Sequence, residues 1–270
     1  MKIIGCDIGW KNDTRRNAVA IATGDGQIEL LRSGLGDDDL VSIVGKHCEP
    51  GSLILLDIPI DGCEKLECPR RPLEEALQHM VSVYPAHMAG NRGKHLKERL
   101  LLALSDDIRR DVIVQEIYPY VIYKFLWTLN EMGKLKKFHS GEWDSLLDKT
   151  FLPSKSPPKY KGNIPHEKRI EGMRNLYVFI GKLIGLKFTQ PLISPDWSLS
   201  RSDLDLLADI YDACLGVGVG LCSVKLSPYA WLIGNELHGQ MLLLADEWFK
   251  NSLEQYGVDF KHLYLVGKGE

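Results

Sequence analysis

Five carboxylates in this 270-residue chain stand where a folding sequence ordinarily puts apolar groups. Asp7 follows Ile3, Ile4 and Cys6 and precedes Ile8, near the end of an apolar run. Asp57 closes "LILLD", just ahead of Pro59, and Glu116 lies near the end of "VIVQEIYP". Asp209 and Asp212 lie three apart in "DLDLLADIYDACLGVGVG". That spacing puts both on one face of a helix, and Asp205 extends the face by a turn. A carboxylate placed in an apolar run is costly unless it is paired or binds a metal.

Acids brought together repel and raise one another's pKa unless divalent cations neutralise them. Oxygen donors without His or Cys company suit Mg²⁺ or Mn²⁺. Two such ions about 4 Å apart are the usual device for in-line displacement at a phosphodiester, one activating water and the other stabilising the leaving oxygen. The expectation is therefore a two-ion hydrolytic centre on Asp7, Asp57, Glu116, Asp209 and Asp212. Each acid alone also has a plainer reading. Asp57 could open a turn, Glu116 could face solvent, and the acids of 205–212 could form a solvated helix face. Asp7, flanked by apolar residues, is the hardest to explain that way.

The elements that must position these groups follow from periodicity. Lys2–Ile8, Ala18–Thr23 and Gln27–Ser33 read as strands, the last two joined by the hairpin turn "TGDGQ". "DDDLVSIVGKHC" reads as a helix with acids in its first turn, and "SLILLDIPI" as a strand buried on both faces. Helical patterns occupy Leu73–Val83 and Lys94–Leu104, and "DVIVQEIYPY" is a fifth strand ended by Pro119. Thr128–Pro165 is polar and proline-bearing, an insertion with one short helix at Glu142–Leu147. Ile164–Leu186 and Asp203–Cys222 are helices, the second opened by a capping box on Ser202 and Asp205. "MLLLADEWFKNSLEQYG" reads as a last helix. The order implies an α/β domain with a mixed five-stranded sheet over residues 1–225, and a helical extension over 226–270 packed on it. Acids at the carboxyl ends of separate strands then converge, as functional groups do in such sheets.

Composition narrows the class. A net charge of −3 favours neither nucleic acid nor membrane, and no run of 18 apolar residues or cationic leader occurs. The expectation is a cytoplasmic chain with reduced cysteines and no membrane partner. Cys63 and Cys68 have four intervening residues and no second pair at zinc-like spacing, which argues against a zinc site. No G-x-S-x-G serine-nucleophile motif occurs. The glycines of "GVGVG" fall in a helix, where Gly216, Gly218 and Gly220 would permit close packing on the sheet.

The stretches "IIGCDIGW…NAVAIA", "LILLDIPI", Arg71-Pro72-Leu73-Glu74, "QEIYP", "KYK" and "ADIYDACLGVGVG" together resemble the family known as domain of unknown function 429, described as predicted nucleases of RNase H-like fold. The resemblance runs from about residue 2 to 222; the first strand and the D-x-x-D-A helix also look like Holliday-junction resolvases. It implies a sheet in the order 3-2-1-4-5 with strand 2 antiparallel. It makes Asp7 the shared aspartate bridging both metals, Asp57 the fourth-strand acid, and Asp209 or Asp212 the helix acid. Glu116 matches a Glu-x-x-Pro motif. The segment Ile58–Ile60 is bulkier than the family's usual alanine or proline there.

The expected partner is nucleic acid, DNA or RNA. Residues 134–174 carry ten Lys/Arg against five Asp/Glu, together with Phe138, Trp143, Phe151 and Tyr160, and Asn91–Arg99 is a second basic stretch. Arg71, Lys159 and Lys161 are the candidate substrate-binding residues, although Arg71 and Glu74 could instead pair structurally. A non-catalytic binding module of the same fold is the main alternative. An actin-like or sugar-kinase-like nucleotide-binding protein, which also opens on Asp-x-Gly, is a weaker one because no second phosphate loop follows.

Overall fold

A computed structural model of the chain describes residues 1–9, 16–61, 71–81, 91–140, 156–182, 185–235 and 239–263. Strands β1 (Lys2–Asp7), β2 (Asn17–Thr23) and β3 (Gln27–Leu35) lead into helix α1 (Asp37–His47) and strand β4 (Leu53–Asp57). Helices α2 (Pro72–Val81), α3 (Arg92–Leu102) and α4 (Asp106–Asp111) precede β5 (Ile113–Ile117), and α5 (Pro119–Glu131) and α6 (Leu135–Ser140) follow it. Then come α7 (His166–Lys182), the short β6 (Lys187–Phe188) and the long α8 (Arg201–Val224). The tail holds β7 (Ala230–Asn235), β8 (Gly239–Leu244), α9 (Glu247–Glu254) and β9 (Phe260–Lys261).

The nine strands among the described residues join one sheet, in the order β6-β3-β2-β1-β4-β5-β8-β7-β9. The expected five strands form its middle in the expected order, with β2 antiparallel to β1 and β4 and β5 parallel to it. The sheet is nonetheless larger than expected. Residues 226–270 are not a helical extension: β7 and β8 form an antiparallel pair, and β8 runs parallel to β5. Four consecutive apolar residues, Met241–Leu244, suit a buried strand as well as a helix, and the fold uses them as the strand. Among the other expectations, Glu142–Leu147 and the pair Cys63 and Cys68 lie outside the described residues.

Side-chain alternation along the central strands divides the interior in two. Ile3 of β1 and Leu53 and Leu55 of β4 face the layer of α8, α7 and α5. Ile4, Cys6, Ile54 and Leu56 face α1 and α3. Helix α8 is long and apolar enough to cross a bilayer, but 83% of its apolar window is buried within the fold. It lies close on β1 because both surfaces are bare: a Cβ on Gly5 would sit 2.1 Å from the Ala213 carbonyl oxygen, and one on Gly216 would sit 3.3 Å from the Gly5 Cα. The cap of α8 is Ser200, whose hydroxyl accepts from Asp203 N–H while the Asp203 carboxylate accepts from Ser200 N–H. This box stands two residues ahead of the expected one, which leaves Asp205 free to pair elsewhere.

Candidate metal centre

Asp7 ends β1 and Asp57 ends β4, and the two strands run parallel with these residues directly opposite each other. Both have the parity of Ile3 and Leu55, so they look towards α8. From α8, Asp209 and Asp212 come to the same place; both are buried, as is Asp7. One carboxylate oxygen each from Asp7, Asp57 and Asp212 fall within 4.8 Å of one another. Three hard oxygen donors converge there, and among the described residues no His or Cys joins them, the donor chemistry that fits Mg²⁺ or Mn²⁺.

Glu116 is not among them. It pairs in register with Leu56, one residue short of Asp57. A one-residue offset on a strand reverses the face presented, so Glu116 takes the parity of Leu56 rather than that of Asp57. Arg71 meets it through two bonds, Nη1 to Oε2 at 2.8 Å and Nη2 to Oε1 at 2.5 Å. The same guanidinium reaches Glu74 from Nε at 2.9 Å and from Nη2 at 2.6 Å. Arg71 is only 4% exposed, so of the two roles open to it, the structural pair with Glu74 is the one it adopts. Burial raises the Glu116 carboxyl to about 6 despite the opposing pull of Arg71.

Lys161 enters the acidic centre directly. Its Nζ lies 2.8 Å from Asp7 Oδ2, 3.0 Å from Asp209 Oδ1 and 2.6 Å from Asp212 Oδ2. Burial opposes its charge, but Asp212, Asp7 and Asp209 outweigh it and hold the ammonium protonated. The side chain keeps 34% of its exposure, so the centre opens to solvent along it. Among the described residues, the ion pairs to Asp7, Asp209 and Asp212 come from Lys161 and Arg16, and Lys159 makes none of them. Between the two lysines, Tyr160 is buried and donates from its hydroxyl to Asp212 Oδ1 at 2.6 Å. Helix α7 fixes this loop: Arg169 Nε donates to the Tyr160 carbonyl at 3.1 Å, and Gly172 leaves room for the Lys159 carbonyl, which a Cβ would meet at 2.2 Å.

Arg16, about half exposed, donates from Nε to Asp209 Oδ2 at 3.3 Å and stands 3.6 Å from Asp205. Asp205 is also bound by the buried Arg169. Nothing in the sequence marks Arg16 or Tyr160 for these positions, because only the fold brings them to acids so distant along the chain. The exit of β1 has its own clamp. Gly9 N–H donates to Asn17 Oδ1 at 3.0 Å, and the Gly9 carbonyl accepts from Arg92 Nε at 2.8 Å. Asp37 receives Arg92 and Asn17 in turn.

Burial is the first cause of the raised carboxyls. It pushes Asp7 well above the usual range, with Asp212, Asp57 and Asp209 adding to it and Lys161 opposing. It pushes Asp57 to about 7, helped by Asp212 and opposed by Lys161 and a hydrogen bond with Asp7. Asp212 is raised too, against Lys161 and Tyr160. A cation added to this group would favour the ionised form of all three carboxyls.

No protein-family model, curated protein or solved structure matches the chain.

Part of each basic stretch is taken up by the fold itself. In Asn91–Arg99, Arg92 pairs with Asp37, Lys97 with Asp61, and Arg99 with Asp38. Phe138 and Tyr160 are core residues at 4% and 3% exposure, so neither offers a stacking face. Trp143 and Phe151 lie outside the described residues.

Proposed function

We propose that the protein is a divalent-metal-dependent nuclease that hydrolyses phosphodiester bonds of DNA or RNA at the Asp7, Asp57 and Asp212 centre. The observation that carries the reading is the convergence of those three carboxylates, from two strand ends and the long helix, to within 4.8 Å. Mg²⁺ or Mn²⁺ held there would supply Lewis-acid chemistry at a phosphate oxygen and lower the pKa of water. In the hydrolysis, water oxygen bonds to phosphorus as the bond to the leaving oxygen breaks; water's proton passes to solvent and the leaving oxygen takes one up.

Two further features support it. The middle of the sheet follows the 3-2-1-4-5 order with β2 antiparallel, which agrees with an RNase H-like domain to which β6 and β7–β9 are additions. The resemblance to domain of unknown function 429 points to the same chemistry and the same first-strand aspartate. Lys161 lines the solvent side of the centre, where phosphate would enter, and Lys159 in the same loop is a candidate steering charge.

One observation favours a second reading. Lys161 already neutralises part of the acidic group, so a binding module that takes no metal could keep these residues as a closed ion-pair network. The test is cleavage of a panel of single- and double-stranded DNA, RNA and RNA–DNA hybrid with Mn²⁺ or Mg²⁺, comparing wild type with Asp7→Asn. Metal-dependent cutting by the wild type alone is the expected result. Intact substrates with both proteins, together with no metal binding, would leave the binding module.

A further inference from the structure

The acid count alone suggests two ions, but the fold has built a cation into the group. Lys161 Nζ touches Asp7, Asp209 and Asp212 at 2.6–3.0 Å and makes no such contact with Asp57. It therefore fills the space between the end of β1 and α8, and the Asp57 side remains for an ion shared with Asp7 and Asp212. The lysine is held in place from three directions. Tyr160 donates to Asp212, Arg169 binds the Tyr160 carbonyl, and Gly172 seats the loop against α7.

Charge leads to the same division. Among the described residues, the four acids Asp7, Asp57, Asp209 and Asp212 are accompanied by two cations, Lys161 on Asp7, Asp209 and Asp212 and Arg16 on Asp209, while Asp205 is matched by Arg169. Four acids against two cations leave two negative charges, which one divalent ion neutralises. A second divalent ion would turn a largely buried site positive by as much, at the desolvation cost that isolated buried charges carry.

We propose that Lys161 is a tethered second cation, so that the centre takes one divalent ion, on Asp7, Asp57 and Asp212, and the ammonium holds the place a second ion would need. This rests on the metal-dependent reading above and fixes its stoichiometry. Its functional consequence is a fixed positive charge beside the reacting phosphate. That charge does not depend on the concentration of a second free ion, so metal dependence would follow a single-site curve.

The experiment counts ions on the full chain. Equilibrium dialysis against Mn²⁺ with elemental analysis, backed by electron paramagnetic resonance of the bound ion, should give one Mn²⁺ per wild-type chain. Lys161→Met should raise the count from one to two, and Lys161→Arg, which keeps the charge, should remain at one. Two ions on the wild type would overturn the proposal while leaving the metal-dependent reading intact. One ion on Lys161→Met would overturn it as well, since the vacated place would then not be an ion site. No ion on the wild type would end both readings together. Should Lys161→Met fail to fold, the wild-type count and Lys161→Arg still decide: two ions on either refutes the tethered cation.

Discussion

Replacing Asp57 with asparagine should stabilise the metal-free protein while removing most of its response to metal. The carboxyl of Asp57 is raised from 3.8 to about 7, chiefly by burial. At about 1.4 kcal/mol per pKa unit, the ionised form weakens the fold by at most about 4 kcal/mol at pH 8. Asp57 is half-buried, so solvent reduces this to roughly 2 kcal/mol. An amide of the same shape avoids that cost and serves Asp7 in either state, since its carbonyl accepts and its NH₂ donates. The sign follows from a folded pKa above the unfolded one. The stability contributed by the protonated acid is full below about pH 4 and is lost as pH rises through about 7. Asp57→Asn should therefore exceed the wild type in thermal midpoint by roughly 4–8 °C at pH 8, with the gap shrinking towards pH 4. Saturating Mn²⁺ should reverse the order, because a ligand at about 100 times its Kd adds about 2.7 kcal/mol to the wild type alone. Scanning calorimetry at pH 5 and pH 8, with and without Mn²⁺, reads all four quantities. A less stable Asp57→Asn at pH 8 without metal, or an undiminished Mn²⁺ shift in the variant, would refute the reasoning.

Other substitutions separate the converging carboxylates from their surroundings. Arg71→Met leaves Glu74 and Glu116 buried without their cation and should cost about 3–5 kcal/mol by urea unfolding, whether or not metal is present. Glu116→Gln should retain the wild-type Mn²⁺ stabilisation, because Glu116 stands outside the converging oxygens and the amide carbonyl can still accept from Ile60 N–H; loss of that shift would refute this placement. Gly5→Ala drives a Cβ to 2.1 Å from the Ala213 carbonyl oxygen and should destabilise by more than about 4 kcal/mol, seen as loss of soluble, cooperatively unfolding protein.

Much of the site was legible because buried strands tolerate so few polar residues. Asp7 stands out against Ile3, Ile4 and Cys6, and Asp57 against Leu53, Ile54, Leu55 and Leu56. Each ends its apolar run, and parallel pairing then sets the two side by side. Asp209 and Asp212 were legible from helical spacing. Glu116 was misplaced because its distance from the strand end does not reveal register, and a shift of one residue reverses the face. Lys161 was legible as a basic residue in a basic stretch, but not as a partner of Asp7, 154 positions away. The tail strands were missed because a run of four apolar residues carries no period of its own, and β6 and β9 are two residues each.

The charged network around Glu116 acts on the acidic centre through the backbone. Beyond Asp57 the chain continues through Ile58 and Pro59 to Asp61, and it is held from both sides. Ile60 N–H donates to Glu116 Oε2 at 3.3 Å, and the Asp61 carbonyl accepts from Arg71 Nη1 at 2.9 Å. On the other side, Gly93 at the start of α3 lies so near Pro59 that a Cβ would meet its carbonyl oxygen at 1.9 Å. Arg71 is itself confined by the tail: a Cβ on Gly239, the first residue of β8, would sit 2.8 Å from the guanidinium. The exit of β1 is held in the same manner, by Asn17 and Arg92 on Gly9. Repelling carboxylates would spread if the strand ends that carry them could yield. Both ends are pinned just past the acid, by groups outside the converging oxygens, so the oxygens stay together without help from an ion. The added strands thus serve the centre without touching it, since β8 completes the wall against which Arg71 turns towards Glu116.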